Sequence, residues 1–168
     1  TLVADNAVPV TGTPNDLIAT DINSDGLLDI VMSNGSSDTY PNRASISMLL
    51  QDQQRNLTVF TEHVIAGANN MIALSVSDLN DDHRPDIAAT IWSATGNEVV
   101  ILQATQTGFV APTFLSFDSP SRPWSIEITD VNTDTLADIL VSAADGIYAF
   151  HQQATGNGAF GNGVRIID

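Results

Sequence analysis

The chain contains no cysteine and no lysine. Without cysteine there is neither a disulfide framework nor a thiolate metal site, so any staple must come from packing or from a cation held by oxygen. Aromatic residues make up 6% of the chain, so a core must be built from small and branched aliphatic side chains. No run of 18 apolar residues occurs, which excludes a membrane-spanning helix and argues against membrane insertion. No charged-then-apolar leader opens the chain either; it begins Thr1-Leu2-Val3, as a mature or excised segment does. Positive charge is scarce: five Arg face 20 acidic residues, for a net charge of −15. Such a surface repels nucleic acid and anionic membranes.

What is abundant is aspartate, which supplies 17 of the 20 acidic residues. The charged fraction is 15% and the apolar residues are periodic, so the chain does not read as disordered. Asp in such excess points to turns and cation ligands. Three segments align on the pattern D-x-N-x-D-x-x-x-D, flanked by apolar or β-branched residues. They begin at Asp21, Asp78 and Asp130, spaced 57 and then 52 residues.

The likeness extends beyond these loops. A strand is expected before each loop (Asp16–Thr20, Ile72–Ser77, Trp124–Thr129) and another directly after it (Asp29–Ser33, Asp86–Trp92, Asp138–Ser142). A third follows a polar turn (Ser45–Leu50, Val99–Gln103, Ile147–His151). A Gln/Gly/Asn-rich turn then reaches Phe60, Phe109 or Phe160 and leads to an outer strand (Glu62–Ala66, Thr113–Phe117, Val164–Asp168). Four short strands per repeat of about 50 residues is the pattern of a propeller blade. The expected fold is therefore all-β, with three four-stranded antiparallel blades of a β-propeller. The repeats run approximately over 1–67, 68–118 and 119–168. Closed rings have about four to eight blades, so three blades form a partial ring, completed by self-association or by the remaining blades of a longer chain. Thr1–Val10 reads as a surplus outer strand available for pairing with such a neighbour.

These repeats resemble the FG-GAP/VCBS group of β-propeller repeats found in integrin α-subunit heads and in secreted bacterial proteins. The resemblance rests on the acidic loop, the Asp-Ile strand start and the aromatic after the Gly/Asn turn. It is closer to the VCBS-type bacterial form, because no Phe-Gly…Gly-Ala-Pro signature is present. It implies a calcium-binding propeller module outside the cell.

Calcium takes six to eight hard oxygens, which a short loop can offer at alternate positions. In loop one the candidates are Asp21, Asn23, Asp25, Asp29 and the Leu27 carbonyl. In loop two they are Asp78, Asn80, Asp82, Asp86 and the Arg84 carbonyl. In loop three they are Asp130, Asn132, Asp134, Asp138 and the Leu136 carbonyl. Three carboxylates in nine residues repel one another unless a cation joins them. Up to three Ca²⁺ ions are thus expected. An EF-hand needs Glu at position 12 and flanking helices; position 12 is Met32, Ala89 and Val141, between strands. Position 6 favours positive φ, which Gly26 suits, His83 tolerates and Thr135 resists. Site three is therefore expected to be weakest. Asp81 is an additional carboxylate of loop two, expected to face solvent.

Other residues carry less. His63, His83 and His151 do not fall at metal-ligand spacing and are expected at the surface or in packing. No Gly-x-Ser-x-Gly elbow occurs, no catalytic set is read, and the chain is not expected to be an enzyme. Trp92 and Trp124 are expected in core or inter-blade packing, with sugar stacking at a blade rim as the alternative. Asn34-Gly35-Ser36 and Asn56-Leu57-Thr58 match glycosylation sequons at expected turns. The functional expectation is an extracellular or cell-surface calcium-stabilised module for structural assembly or adhesion, binding protein or matrix. The alternatives are a glycan-binding, lectin-like propeller and part of a propeller-fold polysaccharide-degrading enzyme.

Overall fold

The computed structural model describes residues 8–36, 43–93, 96–117, 119, 122–154 and 158–167, leaving aside the side chains of Val59 and Phe60. Within them the chain is all-β. The first sheet is a meander of β1 (Thr13–Thr20), β2 (Asp29–Gly35), β3 (Arg43–Gln51) and β4 (Leu57–Ala66). The second comprises β5 (Asn70–Ser77), β6 (Asp86–Ser93), β7 (Gly96–Leu102) and β10 (Thr113–Phe117). A small ribbon of β8 (Ala104–Thr105) and β9 (Gly108–Phe109) is inserted before β10. The third comprises β11 (Pro123–Thr129), β12 (Asp138–Ala143), β13 (Gly146–Phe150) and β14 (Val164–Ile167). Every pairing is antiparallel, and no sheet among the described residues closes on itself.

The sequence reading did not anticipate the β8–β9 ribbon. Its two strands have two residues each, too short to show alternation. Conversely, β4 starts at Leu57 and takes in Phe60, which the sequence reading left in the preceding turn. The surplus strand expected over Thr1–Val10 falls mostly outside the described residues, and 8–10 carry no strand.

The sheets stack by a repeated rule. The face of the first sheet carrying Val31, Ile46 and Met48 packs against Ile87, Ala89, Val100 and Leu102 of the second. The opposite face of the second sheet, with Ala88, Val99 and Ile101, packs against Ile139, Val141, Tyr148 and Phe150 of the third. These positions are equivalent when the Asp-Ile strand starts are aligned. Sheet two is thus covered on both sides, and its β6 is buried from Asp86 through Ile91. That is why Ile87-Ala88-Ala89-Thr90-Ile91 reads as a nearly continuous apolar run. The equivalent outward positions of the third sheet, Leu140, Ile147 and Ala149, face no further sheet among the described residues.

The first strands of the sheets run beside each other, β1 along β5 and β5 along β11. Polar side chains tie this seam. Asn15 Nδ2 donates to the Met71 carbonyl at 2.6 Å, and the Leu74 N–H donates to Asp16 Oδ2 at 3.0 Å. Leu74 is the residue at which β5 resumes its register with β6, after the irregularity between Met71 and Leu74.

Candidate functional site

Each acidic segment forms the corner between the first two strands of its sheet, and all three corners use one hydrogen-bond plan. The Oδ1 atoms of positions 1 and 3 accept the same N–H, that of position 5. Asp25 N–H lies 2.9 Å from Asp21 and 3.0 Å from Asn23; Asp82 N–H lies 3.1 Å from both Asp78 and Asn80; Asp134 N–H lies 3.1 Å from Asp130 and 2.9 Å from Asn132. The other oxygen of position 1 accepts the N–H of position 6, at 2.7 Å from Gly26, 2.7 Å from His83 and 2.8 Å from Thr135. Position 5 accepts from position 7, Leu27, Arg84 or Leu136. Short side chains are required, because Asp and Asn carry an acceptor oxygen at the reach that bonds a backbone donor two residues on.

The curl of each corner needs two left-handed residues. Position 6 has positive φ as expected: 85° at Gly26, 64° at His83 and 75° at Thr135. Position 4 has it as well, at Ser24 (61°), Asp81 (59°) and Thr133 (65°). Position 4 was missed because none of these residues is glycine. Loop three places a β-branched Thr at both positions, the least favourable choice.

Position 9 behaves differently from the rest. Asp29, Asp86 and Asp138 are fully buried. Each clamps the corner to the last residue of the third strand of its sheet or to the second residue beyond it, with one backbone N–H on each oxygen. Asp29 accepts from Ile22 (3.2 Å) and Gln51 (2.8 Å), Asp86 from Leu79 (2.9 Å) and Ala104 (2.7 Å), and Asp138 from Val131 (3.2 Å) and Gln152 (2.9 Å). Burial pushes the Asp86 carboxyl above its ordinary value; the Ala104 and Leu79 donors pull against this, while Asp82 and Asp78 add to it. At Asp78 burial also raises, but the N–H groups of His83, Asn80, Asp82 and Asp81 outweigh it and hold the carboxyl below its ordinary value.

The loops differ in what meets the outer oxygen of position 5. In loops one and three it is the amide of position 3: Asn23 Nδ2 to Asp25 Oδ2 at 2.9 Å, and Asn132 Nδ2 to Asp134 Oδ2 at 3.0 Å. In loop two it is a guanidinium, with Arg84 Nη2 2.7 Å from Asp82 Oδ2. The Arg84 side chain, unlike its carbonyl, therefore competes for a candidate ligand. His83, 90% exposed, lies 3.7 Å from Asp78. Among the described residues, Asp78, Asp81 and His83 are the set of three acidic or imidazole groups whose ligand atoms converge within 4.8 Å. The Asp81 and His83 side chains are exposed, and the left-handed pair at positions 4 and 6 brings them towards Asp78. In loop three, His151 Nδ1 sits 3.2 Å from Asp138 Oδ2 and 3.4 Å from Asn132 Nδ2. His151, expected on the third strand of its repeat, follows the end of β13, where the fold brings it over the corner.

The donor set of each corner suits a hard cation. Positions 1, 3, 5 and 9 and the carbonyl of position 7 are all oxygen donors. The oxygens of positions 1 and 3 already share one N–H, so they are held close together. Loop two meets this test only if Arg84 releases Asp82.

Other singled-out residues fall elsewhere. Trp92 and Trp124 are 39% and 59% exposed, so neither is a core residue. His63 is half-buried, lies edge-on to Phe109 at 5.6 Å, and is held below its ordinary pKa by burial. Asn34 lies inside β2 and not in a turn. It is fully buried, donating to Ser47 Oγ at 2.9 Å and Ser45 Oγ at 3.2 Å, which removes it as a glycosylation acceptor in the folded chain. Asn56 is in an exposed turn, bonded to Asp52.

Fold and corners together define a tandem β-repeat protein with acidic loops at matching strand junctions. More particularly, the model of the FG-GAP-like repeat, a repeat of the propeller type, matches residues 21–89. That stretch runs from the first residue of loop one through loop two into β6. No curated protein matches the chain.

Proposed function

We propose that the chain is a calcium-braced β-propeller segment of the VCBS type. It acts outside the cell as a structural or adhesive module and not as an enzyme. The observation that supports this most directly is the threefold identity of the corners. Three loops with different residues at positions 2, 4, 6 and 8 converge on one arrangement of carboxylates at the same strand junction. Asp21, Asn23, Asp25, Asp29 and the Leu27 carbonyl would hold an ion in loop one. The equivalent residues, starting at Asp78 and Asp130, would do so in loops two and three. Calcium supplies positive charge and six to eight coordination positions where the bare loop holds like charges together. The chain's own residues hold the corner in shape beforehand, through the shared N–H groups and the position-9 clamp. Loop three is the weakest site, with Thr at both left-handed positions. An affinity of about 10⁻⁴ to 10⁻³ M suits an extracellular module.

The partner in this reading is another sheet of the same kind. It covers the face that carries the half-buried Leu140 and Ile147 and comes from a second copy or from further blades of a longer polypeptide. The test is a thermal melt with 2 mM calcium and with EGTA on a sample sized by sedimentation. The expected result is a higher melting temperature in calcium, reduced by Asp25→Ala. Identical melts in both buffers would remove the calcium reading. A monomer at all concentrations, unaltered by Leu140→Lys, would remove self-stacking.

A further inference from the structure

We propose that the exposed Trp92–Arg122–Trp124 stack, with the groove beside it, is a binding site for a neutral oligosaccharide. It goes beyond the calcium reading and does not depend on it. The stack lies at the ends of β6 and β11 remote from the acidic corners.

Trp92 and Trp124 are the two tryptophans of the chain. They come from different sheets and converge on one guanidinium. Arg122 Cζ is 5.5 Å from the Trp92 ring centroid and 6.0 Å from that of Trp124. Among the described residues no carboxylate forms an ion pair with Arg122. Two large indoles left partly in water and oriented by a stacked cation form a preorganised aromatic surface.

Directly across the strand pair from Trp92 is Asn97. Asn97 lines an open groove of about 540 Å³, along with Glu98, Ser116, Ser119 and Asn162. This volume is in the range that small-molecule sites occupy. The lining is amide, carboxylate and hydroxyl, with Phe117 as its aromatic member.

That combination fits the chemistry of a sugar. The C–H face of a pyranose stacks on an indole, while its hydroxyls exchange hydrogen bonds with planar amides, carboxylates and a guanidinium. An apolar peptide would bring no hydrogen-bonding groups to this amide, carboxylate and hydroxyl lining. An extended polyanion would meet a net charge of −15.

The test is titration of the full chain, in millimolar calcium, with neutral hexasaccharides of glucose, mannose and N-acetylglucosamine, and with polygalacturonate as an acidic comparison. Both tryptophans belong to the site, so intrinsic fluorescence reports on it, and calorimetry gives the affinity. At least one neutral hexasaccharide should shift the emission. Trp124→Ala should weaken its binding about tenfold or more while leaving the circular dichroism and melting temperature unchanged. Trp92→Ala should act in the same direction. No response to any neutral hexasaccharide up to roughly 10 mM would overturn the assignment. So would binding that survives Trp124→Ala, a response confined to polygalacturonate, or a Trp124-dependent self-association in place of a saccharide response.

Discussion

Replacing Asp86 with Ala removes the acceptor for two backbone donors at once. The N–H groups of Leu79 and Ala104 point at its two oxygens from 2.9 and 2.7 Å. Leu79 is 1% exposed and Ala104 7%, so water does not readily take the place of the carboxylate. A hydrogen bond to a charged group contributes about 1.5–3 kcal/mol, so two contribute about 3–6 kcal/mol. Burial of the charge opposes this, as the raised pKa of Asp86 shows, and places the net loss near the lower end, about 3 kcal/mol. For a chain of this size that corresponds to a fall in Tm of about 6–12 °C. Differential scanning calorimetry of wild type and Asp86→Ala, each with calcium and with EGTA, measures it. The loss should persist in EGTA, because the clamp is made to backbone donors. A fall under about 2 °C, or one that vanishes in EGTA, would refute the clamp and leave position 9 as a simple metal ligand.

Thr135→Gly relieves a β-branched residue at φ 75°. The strain of about 1–2 kcal/mol is partly offset by glycine's greater unfolded freedom, so a calorimetric Tm rise of about 1–4 °C is expected. Arg84→Ala frees Asp82 from its guanidinium; calcium affinity at loop two, followed by calorimetric titration, should rise by up to about fivefold, the scale of an exposed ion pair. The Ser119 and Tyr148 hydroxyls, each 2.7 Å from Asp145, hold its carboxyl below the ordinary value. Its contribution to stability is therefore full above that ordinary value and is lost as pH falls through the lower folded one. Tyr148→Phe should lower stability at neutral pH and flatten this acid limb, as read by urea unfolding between pH 2 and 6. An unchanged slope would show that the hydroxyl does not act on Asp145.

The strands were legible because apolar residues alternate or run together between Asp-rich corners, and because the pattern recurs three times. The same Asp-Ile start marked the strand after the loop in each repeat. What could not be read was what neighbouring sheets do to one another. Trp92 looks like core material by type, yet it sits at the open end of β6. His151 looks remote from Asp138 in sequence, yet the β12–β13 hairpin folds it back onto the corner. Asn34 sits in a sequon and reads as a turn, but hydrogen bonds from its amide to Ser45 and Ser47 hold it within a strand. In the loops, oxygen-bearing residue types were readable from spacing. The division of labour between a curl made by positions 1, 3 and 5 and a clamp made by position 9 was not, because Asp occupies both roles.

Sheet two is the one packed on both flanks, and that asymmetry orders how the molecule comes apart. Amide exchange should be slowest in β6 and β7 and quicken towards β1 and β14, since each outer layer can peel away while its inner neighbour stays intact. One more layer on the open face of the third sheet would extend this slow-exchanging centre to that sheet, so local longevity here belongs to rank in the stack more than to any residue's identity.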